Sequence, residues 1–154
     1  MNATSLALFI HIVCVAAWFG GVSMMAMYLR DATRSNNLET MSYALGKAQR
    51  WNLTMFIPTS VLVLITGVFM MLQMKLLQLE NKPLWVMMKE RFGSLFVILF
   101  IVLIAFYGKK LLKQIQATGI DSGTGQSILK RYIMLLNLSL LCMVILIFFV
   151  TVKI

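Results

Sequence analysis

The sequence predicts an all-α integral membrane protein, a four-helix bundle, and three observations lead there. Of its 154 residues, 60% are hydrophobic and 12% charged, against roughly 45–50% and about 25% in a soluble domain. Uninterrupted apolar runs occupy about 5–29, 53–74, 92–108 and 133–152, each near the ~20 residues that carry a helix across a bilayer. The polar stretches between them are short. The chain therefore reads as a single four-span domain over 1–154, with no room for a separate soluble enzyme domain. Soluble enzyme, secreted disulfide scaffold and disordered tail are excluded.

Backbone groups in lipid must be satisfied within their own segment, so each run is a helix. The first span, 5–29, lacks a basic leader region and a small-residue cleavage site, and is read as a retained span. It carries His11, Trp18 and the pair Gly20-Gly21, small residues suited to close helix approach. The second, 53–74, opens beside Arg50 and Trp51 and holds Pro58, which should kink it with Thr54 as a local partner. Pro83 is a good first-turn residue, so the third span extends to 84–108, with Trp85 and Lys89 at its interface. The fourth covers 133–152. Thr59, Ser60, Thr66, Asn137 and Ser139 are read as hydrogen-bonding groups between helices.

The net charge of +9 is not a nucleic-acid signal, because the basic residues flank apolar runs where lipid headgroups lie. The first and third connections, 30–52 and 109–132, carry nine Lys and Arg against five on the other side. The positive-inside rule then puts those two connections in the cytoplasm and both termini outside, in an expected bacterial cell membrane. Cys14 and Cys142 lie inside apolar runs and read as small apolar residues rather than a disulfide. The Gly- and Ser-rich stretch 118–127 lacks the lysine of a phosphate loop and reads as a flexible turn. Asn2 and Asn52 match the short glycosylation sequon.

His11 is the single histidine, set in the first span at helical spacing with Cys14, Val15 and Trp18. Such a residue is either a neutral packing group bonded to a neighbouring helix or a metal or haem ligand. Lys89 enters the third span from the same side and is either an interfacial lysine or an amine reaching inward. Arg50 is a cation for a lipid headgroup or for a porphyrin propionate. Thirteen methionines raise copper, since thioethers suit Cu(I). The clusters Met24-Met25-Met27 and Met70-Met71-Met74 fall near opposite faces, however, and do not form one site. No Asp or Glu lies inside the uninterrupted apolar runs, which argues against a carboxylate proton relay, and no hydrolase triad can be assembled.

Several short motifs then occur in a familiar order. They are His11 with Trp18, Gly20 and Gly21; Arg50-Trp51 followed by Pro58 and Thr66-Gly67; Trp85 with Lys89; Tyr107-Gly108; and Asn137. In this order the chain resembles the HemJ-type membrane protoporphyrinogen oxidases and the related CopD-like copper-resistance proteins, over nearly its whole length. The resemblance implies a four-helix bundle binding haem b. His11 and Lys89 match the residues used around the cofactor, and Trp18, Arg50 and Asn137 complete the candidate set. Met27 stands where the family has an arginine, and Asn137-Leu138-Ser139-Leu140 lacks the acid and proline of the family's last-helix signature. The resemblance is thus to a divergent member, and leaves oxidoreductase activity open. The expected function is a haem b-binding membrane redox protein. The rivals are a CopD-like copper-handling protein and a non-catalytic subunit, with a second copy or a membrane protein as partner.

Overall fold

The computed structural model describes residues 2–73, 84–117 and 121–152, and every regular element among them is helical. Helix α1 is Ala3–Arg34, α2 is Leu38–Gln73, α3 is a continuous rod over 84–115, and α4 is Ser122–Val152. All four are long and apolar enough to cross a membrane. The protein is an all-α, integral membrane four-helix bundle, in contact with lipid over its outer apolar faces.

The helices run well past the apolar spans, and they do so at one end. A 36-residue α2 is ~54 Å long, against a hydrocarbon core of about 30 Å. The first connection, expected over 30–52, shrinks to Ser35, Asn36 and Asn37. Asn36 takes a left-handed φ of 52°, which asparagine tolerates. Asn37 then caps α2, its side-chain oxygen accepting from the N–H groups of Glu39 and Thr40. The flexible turn expected over 118–127 is also corrected. Residues 118–120 lie outside the described residues, but Ser122 onward is helix. Asp121 caps it by accepting from Gly123 N–H at 3.2 Å and from the Thr124 hydroxyl. The reason is amphipathic spacing. Met41, Ala44, Leu45 and Ala48 on α2, and Gly125, Ile128, Leu129 and Tyr132 on α4, repeat at three and four residues and are buried. Their Lys and Arg neighbours lower the hydropathy without breaking the helix.

Among the described residues three wide turns interrupt the regular helical register, at Asn52–Phe56, Met88–Gly93 and Leu103–Tyr107. The first explains itself. Pro58 has no N–H to give, and the chain widens so that Ile57 N–H reaches the Asn52 carbonyl. Thr54 does not take the part expected of it; its hydroxyl donates to the Arg50 carbonyl at 2.9 Å. Gly21 of α1 faces this turn, and a Cβ there would strike the Phe56 ring and lie 2.8 Å from Met55 Cε. Gly20, by contrast, looks into open space. Of the glycine pair, only Gly21 is there for close approach.

Candidate functional site

The basal half of the bundle, below the Asn52–Phe56 turn, is packed solid. Leu29, Met41, Ala48, Leu129, Tyr132 and Leu136 are all fully buried. Above that turn the packing loosens around a cavity of about 580 Å³ that all four helices line, within the ~300–1,000 Å³ of small-molecule and cofactor sites. Its walls are almost wholly apolar, with Val15, Val63, Leu64, Phe96, Val97 and Leu146 among them. His11 supplies the ionisable group in that lining.

The imidazole is held from α2. His11 Nδ1 lies 2.9 Å from Thr66 Oγ1, and the same hydroxyl lies 2.6 Å from the Leu62 carbonyl. The hydroxyl has one proton, and the carbonyl can only accept. The geometry therefore assigns the Thr66 proton to Leu62 and has Nδ1–H donate to Thr66. In the neutral ring that tautomer carries its lone pair on Nε2. Next to Thr66, Gly67 gives the ring its space: a Cβ there would sit 3.3 Å from His11 Cε1.

Trp18 lies two turns along from His11, lines the same cavity and is 2% exposed. It packs edge-on against Phe100, with centroids 4.8 Å apart, and stacks on Phe96 at 5.9 Å. Its Nε1–H is buried and has no hydrogen-bond partner among the described residues. A buried donor left so costs about 1–3 kcal/mol. Met70, Met71 and Met143 also face the cavity, whereas Met24 and Met27 point outward at 68% and 61% exposure.

The structure brings His11 and Trp18 together, but not the remaining candidates. The side chains of Lys89 and Trp85 lie outside the described residues; Lys89 belongs to the turn Met88–Gly93, whose last residue lines the cavity. Arg50 is exposed and stands 16 residues before Thr66, about 24 Å along α2, so it is not at this cavity. Asn137 lines a different groove, with Arg30, Arg34 and Lys130. Trp51 packs against Tyr28 in a tilted arrangement, with centroids 5.7 Å apart, and the Lys47 ammonium lies 5.4 Å from the Trp51 ring centroid. The hydroxyls expected to bridge helices mostly do not. Thr59, Ser60 and Ser139 donate to carbonyls of their own helix, the usual short-range choice of a helical Ser or Thr. Of those hydroxyls, Thr66 is the one that reaches another helix.

One polar cluster was not legible as such. Asn52 is fully buried, with Nδ2 2.6 Å from Tyr132 Oη and 3.2 Å from Gln49 Oε1. Gln49 Nε2 in turn reaches the Ala105 carbonyl of the third wide turn at 3.4 Å. Gly108 makes room, since a Cβ there would strike Gln49 Oε1. The cluster pins α2, α3 and α4 together just below the cavity. It also removes the Asn52 sequon from solvent. A polar residue repeating at the spacing of a buried stripe, Leu45-Ala48-Asn52, was the available signal.

Among the described residues no three His, Cys, Asp or Glu side chains converge as a metal-binding group. Cys14 and Cys142 are free thiols. Fold and site together define the class: a helical membrane bundle with one histidine fixed in the wall of an intramembrane cavity. Compared with known proteins, the chain matches no family model, no curated relative and no solved structure.

Proposed function

We propose that this protein binds haem b in the intramembrane cavity, with His11 as an iron ligand, and serves as a membrane redox protein of the HemJ-like kind. The observation that carries the reading is His11 in the wall of a roughly 580 Å³ apolar cavity, its Nδ1 fixed by Thr66. A bare metal ion needs three or four protein donors, but a porphyrin brings four nitrogens of its own and asks the protein for one or two. The donor set of this cavity fits the second case. Trp18, Phe96 and Val97 offer apolar wall.

Haem, when bound, supplies one-electron chemistry tuned by its axial ligand and surroundings. The chain's own part is to orient and exclude. Thr66 sets the tautomer and raises the basicity of the ring, as second partners of ligating histidines do. The apolar lining keeps water from the site. Lys89 is the candidate for a further ligand, on the condition that its amine is desolvated and neutral. In this reading the termini and the cavity face the outside of a bacterial membrane, and the basic end faces the cytoplasm.

Copper is a second reading, favoured by Met70, Met71 and Met143 lining the same cavity as His11; soft thioethers with an imidazole suit Cu(I). The test is the visible spectrum and metal content of the full chain purified in detergent after haem supplementation. A Soret band with iron near one per chain is expected, and Lys89→Ala should shift that band or weaken retention. Copper without a Soret band moves the assignment to the second reading. Neither metal, with a membrane protein co-purifying, makes the chain a structural subunit.

A further inference from the structure

The basic end carries a second concavity, remote from His11. It is a groove of about 560 Å³ between α1 and α4, lined by Arg30, Arg34, Lys130, Asn137, Ile133 and Met134, among others. Arg30 and Arg34 are one turn apart on α1, and Lys130 faces them from α4. The Gln126 amide ties this rim to the inter-helix turn, reaching Asn36 Oδ1 at 3.1 Å. One acid stands beside it: Asp31, 3.6 Å from Arg34 Nη1, with both side chains about three-quarters exposed. The groove therefore keeps a net positive charge from Arg30 and Lys130 even with Arg34 neutralised.

Its floor is of the opposite character. Ile133 is buried, but Met134 is 68% exposed, and Leu138 one turn further along is 56% exposed. On the α1 side Met27, one turn before Arg30, is 61% exposed. Cations at the rim and bare apolar side chains descending into the span make an amphipathic slot, placed where α4 passes from its polar segment into its apolar run.

The geometry points to a binding site for the phosphodiester of an anionic phospholipid, its acyl chain lying along Met27, Met134 and Leu138. A guanidinium gives two parallel N–H donors to two phosphate oxygens, and Lys130 and the Asn137 amide add donors from the facing helix. Basic pockets between helix ends on a positively charged face are the kind of place where such headgroups bind. The lysine-rich patch of Lys109, Lys110 and Lys113 offers comparable charge, but among the described residues it is lined by α3 and Ala117 just after it, and no second helix faces it.

The experiment uses the full chain in mixed micelles of phosphatidylglycerol and phosphatidylcholine in equal amounts. Lipids retained per chain are counted after delipidation by native mass spectrometry. Wild type is expected to hold phosphatidylglycerol several-fold over phosphatidylcholine. Arg30→Gln with Lys130→Gln, both exposed positions, should bring the two lipids level. Lys110→Gln with Lys113→Gln, which removes the same charge, should leave the preference intact. No preference in wild type, or equal loss in both double variants, would overturn the site in favour of a diffuse field. Displacement of the lipid by millimolar inorganic phosphate would overturn the lipid as occupant and make the groove a free-phosphate site. His11→Ala should leave the lipid preference unchanged, whatever becomes of the cavity reading.

Discussion

The two halves of this bundle are built to different rules. Below the Asn52–Phe56 turn the helices are amphipathic, their inner positions fully buried and their outer positions basic. Above it α1, α2 and α4 are apolar all round, and the wall residues Val63, Val97, Met70 and Met143 retain 4–8% exposure around a cavity. The solid half buries its polar groups in a network, Gln49, Asn52 and Tyr132. The hollow half holds its histidine against the Thr66 hydroxyl of a neighbouring helix. Solid packing carries stability, while a cavity gives up dispersion contacts on its inner face and is worth keeping only if something fills it. The lesson is a division of labour: changes in the basal half should be felt as unfolding, and changes in the upper half as lost binding.

Truncation in the solid half should give the largest effect. Leu45→Ala, at a residue 1% exposed, should cost about 2–5 kcal/mol in reversible unfolding from detergent. Met71→Ala on the cavity wall should cost no more than the low end of that range, about 2 kcal/mol, because its neighbours already face empty space. Equal losses at the two sites would break the comparison. The glycine pair sharpens it at the junction. Gly21→Ala must displace the buried Phe56 ring and should cost about 1–3 kcal/mol, whereas Gly20→Ala meets nothing within 4 Å and should not destabilise. Tyr132→Phe leaves the buried Asn52 amide short of a partner and should cost a similar ~1–3 kcal/mol.

The smallest effect is one of pH, at the exposed start of α4. The hydrogen bond from Thr124, with further backbone N–H donors, holds the Asp121 carboxyl below its ordinary value of 3.8. Its folded pKa is lowered, so its contribution is complete above that value and fades as pH falls through the folded one. Asp121→Ala should abolish this small acid dependence in a thermal melt followed between about pH 5 and pH 2. It should leave the cavity half untouched.

The sequence made the apolar half legible and understated the basal one. Four hydrophobic runs of bilayer length admit one secondary structure, and the single histidine, His11, stands in the first of them. The helices of the basal half look like connections in the sequence because Lys47, Arg50, Lys109 and Lys113 dilute an apolar stripe that is regular underneath. His11 and Trp18 converge because seven residues is two helical turns. What holds the imidazole was not readable. Thr66 and Gly67 are 55 and 56 residues from His11, and pairing them requires the relative register of α1 and α2, which no local spacing encodes. Arg50 failed to join His11 for the same reason, since charge type indicates a partner but not its height in the bundle.

The measurement that tests the central claim most directly is haem per chain and Soret position for wild type and His11→Ala, purified side by side after haem supplementation, with thermal unfolding followed on the same samples. The account predicts haem bound to wild type, retention reduced to background in His11→Ala, and an unfolding midpoint of the haem-free protein changed little, because the ring belongs to the hollow half. Equal haem in the two proteins, or none in wild type, would contradict it and leave His11 as a packing residue beside Thr66.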